Sequence, residues 1–357
     1  MSVGKRKEIE NKNEVIFNYL NEMPEGINID VEKEKRVFFE KIEKRRVKSY
    51  CFILFKYAAI AILLISTSYF LTKNQFASKK DIVIDNNIKI GIDKAVLTLG
   101  DGEKVELEKG KTFSGEKVNS DGEKLVYNKK EADTTKNLPT LVYNYLTIPR
   151  GGEFYIELAD DTKVWLNSES KIKYPVEFRK GEPREVELLY GEAYFVVSDS
   201  KNHNGDKFRV LTQGQEVEVF GTEFNIKAYP EEEEIKTTLV EGSIALVIDN
   251  INKFLNPSQQ SIYNKTDETV LLKSVNTFYE TSWRLNEFNF NGKSLEEVMA
   301  VLSRWYDVEI EIQLKNKEDF KYIGTIGKNQ NIEIILLTLK NTNNLNYEIA
   351  ENKITIK

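Results

Sequence analysis

One apolar run dominates the hydropathy pattern: Phe52 to Leu71, FILFKYAAIAILLISTSYFL. At ~1.5 Å rise per residue, about 20 residues match a ~30 Å hydrocarbon core, which predicts a transmembrane helix over 50–72. Lys56 alone interrupts it, close enough to the end of the run for its ammonium to reach the headgroups. A buried helix of a soluble core is the competing reading, but such helices seldom stay apolar for this length. Upstream, residues 1–49 are polar and helix-prone. VEKEKRVFFEKIEKRR places Val37, Phe38 and Ile42 on one side of a charged helix, with Asp30 as N-cap.

Beyond a polar connector the period switches to two, and strands are predicted from Ile82 onward. VLTLGDGEKVEL (96–107) reads as a hairpin across Asp101-Gly102. The Asp-Gly-Glu-Lys turn returns at Asp121, and IELADDTKVWLN (156–167) repeats the frame with Asp160-Asp161 at its tip. This recurrence predicts stacked β-hairpins, as a solenoid or sandwich. Lys129 to Asn137 reads as a mobile loop. Further strands follow: IKYPVEF, REVELLYGEAYFVVS, KFRVLTQ, QEVEVFGTEFNIKAY, EIKTTLVEGSIALV, QSIYN and ETVLLK. Gly221 marks a kink or bulge where a Cβ would collide. Glu231 to Glu234 after Pro230 read as a solvated hairpin tip in preference to a cation site.

From Asn276 the pattern changes again. EFNFNG is a strand, and SLEEVMAVLSRWYD is a helix with Leu295, Val298, Met299 and Leu302 on one face. Ser294 and Glu297 form a capping box. VEIEIQ and YIGTIG are strands, NIEIILLTLKNT a second helix with Ile332, Ile335, Leu336 and Leu339 inward, and NYEIA with KITIK a closing hairpin. The fold class expected is mainly β with a C-terminal α+β domain. The boundaries read 1–49 helical segment, 50–72 span, 80–275 β-rich domain and 280–357 α+β domain.

Charge orients the span. Lys41, Lys44, Arg45, Arg46 and Lys48 precede it, and only Lys73, Lys79 and Lys80 follow, which predicts a cytoplasmic N-terminus and an exported C-terminal bulk. The charged residues before the run and the lack of a small-residue cleavage pattern argue against a cleaved signal peptide. Cys51 precedes the apolar run, which argues against a lipoprotein anchor. The chain has 357 residues and a net charge of −6, which gives no basic footprint for nucleic acid. One cysteine allows no intramolecular disulfide, and one histidine, His203 in SDSKNHNGDK, excludes histidine-rich zinc sites. Asp160 with Asp161, or Glu187 with Glu192, are conceivable acid/base pairs, but nothing sets them on opposite walls of a cleft. No G-x-S-x-G, H-E-x-x-H or P-loop sequence occurs. No catalytic, metal or cofactor residue is expected.

LTIPRGGEFYIELADDTKVWLNSESKIKYPVEF, then GEAYFVV, FGTEFNIKAY and TTLVEGSIALV, resemble the FecR-type periplasmic domain of transmembrane anti-sigma factors. SLEEVMAVLSRWYDVEIEI resembles the short secretin/TonB-like domain that follows it, so the resemblance covers roughly 80–357. On it, Gly151, Gly152, Trp165, Asn167, Gly191, Gly221, Thr222, Phe224 and Asn225 are markers of the fold. Trp165 reads as core, with a surface aromatic as the alternative. Asp160-Asp161 departs from the family's Asp-Gly, so a different turn is expected there. The resemblance implies a single-pass inner-membrane regulator that relays a signal from the signalling domain of an outer-membrane TonB-dependent transporter to an extracytoplasmic-function sigma factor. The N-terminal segment is shorter than the family's sigma-binding domain, and INIDVEKEKRVFFEKIEKRR resembles only its juxtamembrane end. Arg304, Trp305 and Tyr306 are candidate partner contacts; packing between their helix and VEIEI is the other reading. The alternative function is a membrane-tethered β-rich module that binds glycan or protein, using 17 tyrosines and 3 tryptophans.

Overall fold

The computed structural model describes residues 33, 36–37, 88–128, 141–248, 251–314, 321–343 and 345–357. The expected span, nearly all of the N-terminal segment and the expected loop at 129–137 lie outside the described residues. Among those described, no helix is long and apolar enough to cross a membrane.

Hairpins dominate residues 92–274. The first is β1 (Ile92–Thr98) with β2 (Lys104–Glu108), followed by β3 (Phe113–Ser114), β4 (Val118–Ser120) and β5 (Lys124–Tyr127). Next come β6 (Tyr143–Ile148), the hairpin β7 (Gly152–Glu157) with β8 (Lys163–Leu166), β9 (Ser170–Pro175) and the long β10 (Arg184–Val196). Four more hairpins complete the body. They are β11 (Phe208–Thr212) with β12 (Gln215–Val219), and β13 (Glu223–Ala228) with β14 (Glu234–Glu241). After them come β15 (Ile244–Ile248) with β16 (Ile251–Leu255), and β17 (Gln259–Asn264) with β18 (Val270–Ser274).

These hairpins fall alternately into two halves. One half runs β2-β1-β6-β9-β10-β11-β12-β15-β16. The other runs β3-β4-β5-β7-β8-β10-β13-β14-β17-β18. The hairpin stacking expected from the repeated turn is therefore present, but neither a coil nor two separate layers results. The reasons are β10 and β1. The first half of β10 pairs with β9 and β11 and its second half with β8 and β13, while β1 also pairs in parallel with β7, so all 18 strands form one connected sheet around a shared core. The crossing falls at a register shift between Leu188 and Tyr190, next to Gly191 at φ +100°. A Cβ on Gly191 would run into Ser170, whose hydroxyl bonds the Glu192 N–H at 2.9 Å. Only glycine fits that corner.

The three tips share one turn. Asp101, Asp121 and Asp160 each accept from the N–H two residues on, at 3.0, 3.0 and 3.1 Å. Gly102, Gly122 and Asp161 follow them at φ +92°, +92° and +64°. The turn at Asp160 thus does not differ, because a short carboxylate side chain tolerates the left-handed region. Gly221 lies in the connection between β12 and β13, where a Cβ would stand 3.1 Å from the Asp199 Cα; the bulge itself begins two residues later, at Glu223/Phe224.

After β18, Asn276 caps α1 (Thr277–Thr281), and a 3-10 turn, Ser282–Leu285, carries Trp283. The C-terminal module follows: β19 (Glu287–Ser294), α2 (Leu295–Tyr306), β20 (Glu309–Ile312), β21 (Lys321–Gly327), α3 (Ile332–Asn343), β22 (Tyr347–Ala350) and β23 (Lys353–Ile356). The capping box at Ser294 and Glu297 is formed. Leu295, Val298, Met299 and Leu302 are buried, as are Ile332, Ile335, Leu336 and Leu339. β19 pairs with β21, while β23 lies between β20 and β22. The module has its own apolar cluster, and Ile88 from the start of the described body belongs to it.

Candidate functional site

The site is the seam between the β body and the module, and helix ends explain its chemistry. The last carbonyls of a helix lack partners within it. Those of α2 are met partly by its own cap, where the Asp307 and Val308 N–H groups donate to the Ser303 carbonyl, and partly by the body. The Gly151 N–H donates to the Arg304 carbonyl at 2.7 Å. Arg150 Nη2 donates to the Ser303 carbonyl at 2.7 Å, the Ser303 hydroxyl at 2.6 Å and the Val308 carbonyl at 3.0 Å. A cation at a helix C-terminus also meets the negative end of the helix dipole. Glu169 holds the same guanidinium from the other side at 2.8 Å.

The module answers with Arg304. Its side chain is only 5% exposed. The guanidinium lies over the Tyr229 ring, and it donates to Glu231 at 2.6 Å and to Glu232 at 2.8 Å. Burial opposes its charge, but Tyr229, Glu232 and Glu231 together hold its pKa above the ordinary guanidinium value. The acidic tip is thus no free solvated turn: Glu231 and Glu232 grip Arg304, Glu232 also pairs with Lys227, and Glu234 pairs with Lys236.

A second strut is Lys328, buried in the turn after β21. It pairs with Glu153 of β7, donates to the Trp283 carbonyl at 3.2 Å and stands 3.7 Å over the Trp305 ring. Burial pulls its pKa below the ordinary lysine value. The Trp305 indole donates to the Lys328 carbonyl at 3.0 Å.

The third strut crosses the body's motifs. Glu192 is buried in β10. Its two oxygens accept from Asn167 and Asn225, each at 2.9 Å. Asn225 in turn accepts from the Trp283 indole at 3.2 Å. Burial pushes the Glu192 pKa up, against Lys227 and the two amides, which lower it.

The expected partner contacts are accounted for here. Arg304, Trp305 and Tyr306 are all buried. Arg304 faces the body. Trp305 and Tyr306 pack against Phe288 of β19, in the apolar cluster that Ile310 and Ile312 of β20 also join, and the Tyr306 hydroxyl donates to the Gln330 carbonyl at 2.6 Å. Of the fold markers, Gly151, Asn167 and Asn225 meet at the seam. Gly152 is beside them, its carbonyl accepting from Ser168. Phe224 stacks on Phe195 in the core, and Thr222 bonds the Ser243 carbonyl. Trp165 is not core: Val164 and Leu166 take the inward positions at 0% exposure, and Trp165 faces outward between Tyr155 and Tyr194. Asp160 is committed to buried Arg184 at 2.7 Å, and Glu187 pairs with Lys173 at 3.2 Å. His203 contacts Ser198 at 2.9 Å. Among the described residues, no group of His, Cys, Asp or Glu is placed to hold a metal ion. Arg150, Glu153, Glu169, Trp283 and Lys328 were not foreseen as seam residues. Arg150 stood inside a quoted motif, whereas Lys328 carries no local signal.

Two family models match stretches of the chain. The FecR protein model covers residues 144–245, and the FecR C-terminal model covers 287–356. The chain thus carries a stretch similar to the FecR protein model followed by one similar to the FecR C-terminal model. The stretch matched by the first holds Pro149-Arg150-Gly151-Gly152, Asn167, Glu192 and Asn225, and the stretch matched by the second holds α2. The chain is also similar to a candidate anti-sigma factor of Parabacteroides distasonis ATCC 8503, known from crystal structures at 1.65 and 2.50 Å resolution. Each is 28% identical, with a TM-score of 0.55, and the match covers 60% of this chain and 98% of that one. No curated protein matches the chain.

Proposed function

We propose that this chain is a single-pass inner-membrane sigma regulator. Its N-terminus is cytoplasmic, residues 50–72 span the membrane, and the FecR body (80–275) and C-terminal module (280–357) act as two periplasmic domains. The signalling domain of an outer-membrane TonB-dependent transporter docks on the module, and an extracytoplasmic-function sigma factor responds at the cytoplasmic end. The likeness to a candidate anti-sigma factor supports the sigma partner.

The observation that carries this reading is the seam. Its struts are charged and polar (Arg150, Arg304, Lys328 and their carboxylates), which is the composition of an interface that separates reversibly. Buried ion pairs add register more than net stability, so a competing partner can displace the module at modest cost. Strand addition is the docking mode the module supports. Among the described residues β21 pairs only with β19, and Ile323 on it is 81% exposed.

The experiment is crosslinking in cells from a photoreactive residue at position 323 of the full chain. Capture of a transporter signalling domain supports the reading. Capture of none, with sigma-dependent transcripts unchanged on deletion of the gene, contradicts it.

A further inference from the structure

Three segments far apart in sequence meet at one point of the seam: 88–92, 150–152 and 303–308. Ile88 is 8% exposed and lies in the module's apolar cluster, not in the body's. Three residues on, Gly91 sits so tightly under Trp305 that a Cβ there would be 2.6 Å from the indole ring. The next N–H, of Ile92, donates to the Gly151 carbonyl at 3.1 Å, while the Gly151 N–H donates to the Arg304 carbonyl. Only from Ile92 does the chain join the body, pairing in parallel with Gly152. The lead-in from the N-terminal side therefore passes through the module before it reaches the FecR body.

We propose that the module is a clamp on this lead-in: Ile88–Gly91 is ordered only while α2 is seated, and undocking the module frees it. This deepens the relay reading and rests on it, because it names the stretch through which displacement outside is passed toward residues 50–72. The Ile88 side chain and the Gly91 face both rest on the module. Removing the module takes both away at once, leaving the Ile92 N–H bond as the first anchor. Linkage makes the coupling reciprocal, so loosening the lead-in must also loosen the module.

Hydrogen exchange by mass spectrometry on the full chain in detergent micelles tests this. Ile88→Asn should speed exchange of α2 and β20 amides roughly tenfold while β8 and β10 amides hold their rates. Arg304→Met should do the converse, speeding amides 89–93. Gly91→Ala should act like Ile88→Asn, and Gly91→Ala with Trp305→Leu should move back toward wild type, since the smaller side chain admits the methyl group. Unchanged module exchange in Ile88→Asn, or equal acceleration in β8 and β10, overturns the clamp. The two readings fail separately. Coupled exchange in a protein whose deletion leaves every sigma-dependent transcript unchanged keeps the clamp and removes the relay; absent coupling with an intact transcript response does the reverse.

Discussion

The guanidinium carbon of Arg304 lies 3.5 Å from the centre of the Tyr229 ring. The cation belongs to the module and the ring to the body, so this stack, with the Glu231 and Glu232 bonds around it, is where the two parts recognise each other. Desolvation makes such a contact strong only while every member is present.

Arg304→Met should therefore undock the module, at a cost of roughly 2–4 kcal/mol, because two carboxylates and a buried ring lose their partner. Arg304→Lys should recover little, since an ammonium can neither bridge both glutamates nor stack as a plane. Urea unfolding followed by tryptophan fluorescence checks this. The variant should show an early transition from Trp283 and Trp305, with the body's unfolding unmoved.

Acid should open the same seam. The Glu232 carboxyl is pushed up by burial, but Lys227 and Arg304 outweigh that and hold it below its ordinary value. A lowered carboxylate pKa gives stability that is complete above the unfolded value of 4.5 and is lost as pH falls through the folded one. Glu297, lowered by Lys293 and the Ser294 N–H against the opposing push of burial, has the same sign. Glu192 and Asp93 are raised, chiefly by burial; they favour the folded state at low pH and lose that contribution as pH rises, so they soften the effect. Glu232→Gln should shrink the difference in the module's melting temperature between about pH 6 and about pH 3.5. An undiminished difference would place the acid sensitivity elsewhere.

Glu192 makes a sharper comparison. Glu192→Gln keeps one acceptor but turns an NH2 group toward the other of the two amides and strands that donor, so it should cost about 1–2 kcal/mol. Glu192→Ala strands the Asn167 and Asn225 amides and should cost about 2–4 kcal/mol, carried through Asn225 to Trp283. Thermal melts of both variants decide it.

Much of the architecture was legible because it rests on local rules. The turn at Asp101 announces itself, and α2 follows from Leu295, Val298, Met299 and Leu302 with a capping box. The doubled use of β10 was hidden, since a 13-residue strand reads the same whether it serves one half of the sheet or both. Gly191 was visible as a marker, but its collision with Ser170, 21 residues earlier in the chain, exists only after folding. The seam was least legible. Lys328 and Glu153 are 175 residues apart, and nothing near either says that one buries the other. Arg150 looked like part of a turn because its role, capping a helix 153 residues on, exists only after docking.

Asp161 offers a test of the turn itself. It holds φ +64° where the other two tips have glycine. Asp161→Gly should stabilise the body by about 0.5–1 kcal/mol by relieving the left-handed strain. A loss of stability in thermal melts would show that the aspartate side chain is needed at that tip.

The most direct measurement locks the seam. A Cβ at Gly151 would stand 3.5 Å from the Asp307 Cβ, within disulfide range, so Gly151→Cys with Asp307→Cys should crosslink body to module in an oxidising periplasm. Sigma-dependent transcripts are then recorded across a panel of iron chelates and glycans that induce the wild-type strain. The account predicts that each single-cysteine strain responds, while the double-cysteine strain, with its disulfide verified by gel shift, does not. A full response from the locked protein would mean that the module never has to leave its seat, and the relay as described would be wrong.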